Sequence, residues 1–187
     1  MDALIAQAAQ ALAVGDPLSA LKRIALRDDA TALALRGIAM AQLGDHARAQ
    51  SLLRDAARRF GAGSPVARAR CTLAEAEIAL VSRELSWPQA RLDAARRILE
   101  ARGDRLNATH ARHLQARRLL LIGRLEEAGS LLDAIDPAPL PPAWRAAHAL
   151  ANAGLALRRL QMGPAGRFLE AARKAAHAAR NPALVAE

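Results

Sequence analysis

Three stretches of the chain repeat one spacing, and that spacing limits what they can fold into. They are ALIAQAAQALAVGDPLSALKRI from Ala3, ALALRGIAMAQLGDHARAQSLL from Ala32 and ARHLQARRLLLIGRLEEAGSLL from Ala111. Each carries a small residue (Ala8, Gly37, Ala116) seven positions before a glycine (Gly15, Gly44, Gly123). An alanine follows five positions later (Ala20, Ala49, Ala128), and a large aliphatic four beyond it (Ile24, Leu53, Leu132). Small residues on two successive helices let their backbones approach, the glycine reverses the chain, and the aliphatic fills the groove beside the contact. A glycine inside a helix costs about 1 kcal/mol against alanine. Gly37 is therefore predicted to sit where a partner helix presses in.

Composition agrees with helices and little else. Hydrophobic residues make up 52% of the chain but aromatic residues only 2%, with no Tyr, so the apolar content is chiefly Ala and Leu. Both are strong helix formers, while strand-favouring Val, Ile and Thr are sparse. The expected fold is all-α. Asp16-Pro17, Ser64-Pro65 and Asn181-Pro182 each set a capping side chain before a proline suited to a first helical turn. Ser86-Trp87-Pro88-Gln89 reads as a capping box. Glycines 15, 44, 61, 103, 123 and 163 mark helix ends. Together these signals predict ten helices near 2–14, 17–26, 30–43, 46–60, 65–84, 87–102, 107–122, 124–135, 141–162 and 164–180. Short connections would pair them as five antiparallel hairpins within one domain, 1–187. The proline-rich DPAPLPP at 136–142 is the candidate sub-boundary.

At Leu33, Gly37, Met40, Gly44, Asp45, Ala49, Leu53 and Ala56 the chain resembles the tetratricopeptide repeat family. The frame at 30–61 matches well and that at 109–136 fairly, while 1–28 is a shortened version. Segments 64–103 and 141–180 fit loosely, and Arg36 stands where the family usually has leucine. The resemblance implies a right-handed superhelix of antiparallel hairpins, a TPR-like α-solenoid. It further implies a protein or peptide partner held in the concave groove lined by the first helix of each hairpin. In texture the chain is also similar to the helical regions of bacterial transcription regulators, which share a polypeptide with a helix-turn-helix domain.

No catalytic constellation appears, so the expected role is a non-enzymatic interaction scaffold with no cofactor and no metal. Cys71 lies mid-helix without a local histidine base and reads as buried and inert. Glu75 and Glu77 are two apart on a helix, so they point different ways and are expected to pair with arginines. Trp87 and Trp144 are read as first-turn packing residues. His110, His113 and Arg117, at i, i+3 and i+7, form one polar stripe that the resemblance sets on the groove lining. Such a stripe suits an acidic peptide or a terminal carboxylate, with binding that strengthens from pH 8 to 6 as histidine gains charge.

The formal charge of +9 raises an alternative, direct nucleic-acid binding through Arg58-Arg59, Arg96-Arg97, Arg117-Arg118 and Arg158-Arg159. Arginines alternate with acids along the chain, however, and only Lys22 and Lys174 are lysines. That pattern favours solvated helix faces. The single cysteine, the lack of a basic leader before Lys22 and the absence of a long apolar run point to the cytoplasm and away from membranes. At the end, Asn181-Pro182 would start a helix that stops at Glu187, leaving Leu184 and Val185 for self-stacking or for a following domain.

Overall fold

Among the described residues, ten helices form where alanine and leucine dominate and where aspartate, proline and glycine punctuate. The computed structural model describes residues 2–179, and among these every regular element is helical. They are α1 (Ala3–Ala13), α2 (Pro17–Ile24), α3 (Ala30–Gln42), α4 (His46–Phe60), α5 (Pro65–Val81), α6 (Gln89–Ala101), α7 (Arg105–Leu121), α8 (Leu125–Asp133), α9 (Pro142–Arg158) and α10 (Met162–Ala179). The expected helix start at Asn181-Pro182, with Leu184 and Val185, lies outside the described residues.

One turn chemistry joins most of these helices. At Gly15, Gly44, Gly103 and Gly123 the backbone takes φ of 79°, 84°, 72° and 80°, the left-handed region glycine enters without strain. After Gly44, the Asp45 N–H donates to the carbonyl of Met40 and the Gly44 N–H to that of Ala41. These two bonds close the Schellman motif. The same pair ends α1, α6 and α7. Where an aspartate follows the glycine, its side chain caps the next helix; Arg124, after Gly123, makes no such bond. Asp16 accepts from the Ser19 N–H at 3.0 Å, and Asp45 from that of Arg48 at 3.1 Å. Gly-Asp recurs because its glycine closes one helix and its aspartate opens the next.

Two helix ends use the same bonds without glycine. Arg83 (φ 55°) ends α5 and Leu160 (φ 58°) ends α9. Here the structure departs from the sequence reading. α5 stops at Val81 rather than 84, and α9 at Arg158 rather than 162, and Gly163 lies inside the first turn of α10. The capping box at Ser86 does not form: Pro88 occupies the N-cap of α6, without a side-chain bond, and Trp87 precedes the helix. Ser64 does stand at the N-cap of α5 but makes no capping bond either.

The chain divides into two compact units, Met1–Ala108 and Thr109–Glu187. The division falls within α7, and the 136–142 connector lies inside the second unit. In the first unit α1 packs on α2, α3 on α4, and α5 on α6, with α2 against α3 and α4 against α5. Gly37 is buried, and a Cβ built on it would stand 2.8 Å from Leu53 Cγ and 3.2 Å from the Ala49 carbonyl oxygen. The α3–α4 contact therefore leaves no room for a methyl group. Ala8, Ala20, Ile24, Ala49 and Leu53 are fully buried around these contacts. In the second unit Ala116, Leu119 and Leu120 of α7, Ala128 and Leu132 of α8, and Ala151 and Leu155 of α9 share one core. There α9 packs along its length on α10.

Candidate functional site

The first unit holds an apolar cleft of about 230 Å³ between α3 and α5, floored by α4. Thr31, Ala34, Leu35 and Ile38 come from α3, Leu53 and Phe60 from α4, and Ala67, Arg70 and Cys71 from α5. On α3 these positions run i, i+3, i+4 and i+7, one stripe of a helix. A neighbouring face of α3, Leu33 and Gly37, is spent on the core. α3 thus has apolar side chains on more faces than its neighbours cover, and Ala34, Leu35 and Ile38 remain partly exposed. At the edge, the exposed Arg70 guanidinium holds Asp104 at 2.7 Å. Cys71 contributes to the wall while remaining 3% exposed. Burial, and then the nearby charge of Glu75, pushes its thiol up to about 11, so it is a neutral apolar surface at physiological pH.

His110, His113 and Arg117 lie in the second unit, all on α7. Their environments differ. Arg117 is exposed, His110 half-buried, and His113 only 5% exposed. The Trp144 ring, from the first turn of α9, meets His110 edge-on at 4.6 Å and lies 6.4 Å from His113 in a stacked arrangement. His113 Nε2 lies 3.0 Å from Nδ1 of His148 on α9, and the Asn152 amide donates to His148 Nε2 at 3.1 Å. His113 therefore faces the α7–α9 contact and not a ligand. Burial first, then the charges of His148, His110 and Arg117, push its pKa down to about 4. It stays neutral between pH 8 and 6, so the pH-dependent binding expected of the stripe has no source in His113. Two partners here, His148 and Asn152, escaped the sequence reading. Their i, i+4 spacing on α9 was the available signal.

The remaining candidates take structural places. Glu75 is buried and ion-paired at 2.7 Å to Arg91, whose guanidinium also lies over the Trp87 ring. Of the arginine pairs, Arg58 pairs with Asp55, Arg59 with Asp28, Arg96 with Glu100, and Arg159 with Glu126. These four guanidinium groups are already answered by acids within the chain. Among the described residues no group of three or more His, Cys, Asp or Glu side chains is arranged to hold a metal. None of the described helices is long and apolar enough to cross a membrane. No protein-family model matches the chain, and neither a curated protein nor a solved structure matches it.

Proposed function

We propose that this chain is a non-enzymatic, TPR-like interaction module of a bacterial cytoplasmic regulatory protein, its hairpins stacked in a right-handed superhelix. It holds a partner peptide by seating one apolar side chain in the α3–α5 cleft. The observation that carries the reading is the cleft itself, apolar and lined by the first helices of two consecutive hairpins. At about 230 Å³ it is smaller than the roughly 300–1,000 Å³ of most small-molecule and cofactor pockets. It matches the anchor pocket of a peptide interface, where one buried side chain supplies most of the affinity. The net charge of +9 favours acidic residues flanking that anchor. On the histidine side, the exposed Arg117 is the residue of the α7 stripe able to meet a carboxylate.

Selection from a random-peptide display library tests this. The wild-type chain should enrich peptides with a large apolar residue beside Asp or Glu, and Ala34→Trp, which fills the cleft, should enrich none of them. Enrichment that survives Ala34→Trp would place binding elsewhere. No enrichment, together with steeply salt-dependent retention of DNA or RNA, would favour the arginine-pair alternative.

A further inference from the structure

The buried polar chain of the second unit specifies its own proton positions. Asn152 Nδ2 lies 3.0 Å from the backbone carbonyl of His148 and 3.1 Å from His148 Nε2. A carbonyl only accepts, so this atom is the amide NH2, and His148 Nε2 must accept its second N–H. His148 then carries its proton on Nδ1 and donates it to His113 Nε2, 3.0 Å away. His113 in turn carries its proton on Nδ1, a buried atom with no hydrogen-bond partner among the described residues. Every basic lone pair in the chain is thereby engaged. A further proton on His148 Nε2 faces the Asn152 NH2, and one on His113 Nε2 faces the His148 N–H. Turning the Asn152 amide over would relieve the first clash only by aiming its oxygen at the His148 carbonyl.

We propose that His113, His148 and Asn152 form an acid-sensitive latch between α7 and α9, closed while both imidazoles are neutral and released when either gains a second proton. This inference is independent of the peptide-anchor reading, which concerns the other unit. Half-buried His148 is the member with a route to water, so release loosens the α7–α9 contact beside the apolar core that also joins these helices. The surrounding charges set the threshold. From α7, His110 and Arg117 oppose a positive His113, and from α8, Asp133 favours a positive His148. Arg167, Glu170, Arg173, Lys174 and His177 of α10 are exposed. Burial holds His148 below histidine's usual range, and His113 lies near 4. The closed unit thus binds fewer protons than the opened one. The latch's stabilisation is complete above the ordinary histidine pKa of about 6.5 and drains away as pH falls from there toward about 4. The carboxylates Asp2, Asp16, Asp29 and Asp104 of the first unit are held below 3.8 and titrate beneath this window.

Amide hydrogen exchange on the whole chain, expressed as protection relative to an unstructured peptide, tests the latch. Between pH 7 and 5, protection along α9 should fall roughly tenfold or more, while that of α3 and α4 changes little. The variant His113→Leu/His148→Leu should lose the difference. Imidazole nitrogen spectra of the wild type give a readout that needs no variant, and should show both rings as Nδ1–H tautomers at pH 7. Equal loss of protection in both units, unchanged protection along α9, or a His113 that ionises above pH 6 would overturn the proposal.

Discussion

Gly37 shows how one missing atom fixes a helix contact. A methyl group there would fall 2.8 Å from Leu53 Cγ and 3.2 Å from the Ala49 carbonyl oxygen, and the carbonyl belongs to helical backbone that cannot step aside. Gly37→Ala, which an isolated helix would welcome, should therefore destabilise the first unit by about 1–3 kcal/mol. Chemical denaturation reads this directly, and an unchanged or raised midpoint would mean that the α3–α4 crossing is looser than described. Leu160 poses the opposite case. Its side chain is 85% exposed and its φ is 58°, so it holds a glycine conformation without any packing return. Leu160→Gly should raise stability by about 1 kcal/mol. A loss of stability would mean that this side chain makes a contact that outweighs its backbone strain.

At the scale of elements, the Gly-Asp connector explains why helices can follow one another with almost no loop. The aspartate ends one Schellman motif and caps the next helix, so removing its side chain loosens the start of the second helix only. Asp45→Ala should cost about 1 kcal/mol, and Asp45→Asn, which keeps the accepting oxygen, should recover most of it. Equal loss in both variants would show that the carboxylate charge, not the cap, matters. This chemistry was open to sequence reading because glycine and aspartate announce it. The ends of α5 and α9 were not, since arginine and leucine at a left-handed position are imposed by the surrounding packing and carry no local signal. The same division holds for the site. Gly37, Ala49 and Leu53 declare themselves by spacing within 30–61. The α3–α5 cleft depends on how far apart two helices stand, and His148 on which face of α9 meets α7.

Across the whole molecule, the net charge of +9 coexists with acids that take up many of the arginines. Such exposed pairs contribute little to stability, about 0–1 kcal/mol each, but they reduce the continuous positive surface a polyanion would need. What the first unit offers instead is an apolar cleft, the anchor point of the proposed peptide capture. The most direct measurement is a methyl NMR titration of the full chain with a peptide selected on it, following Leu35 and Ile38 in the cleft against Leu119 and Leu132 in the second unit. Peptide capture in the cleft should give saturable shifts at Leu35 and Ile38, absent when the peptide's apolar anchor is replaced by serine. Shifts confined to the second unit, or a response at Leu35 and Ile38 that the serine peptide reproduces, would contradict it.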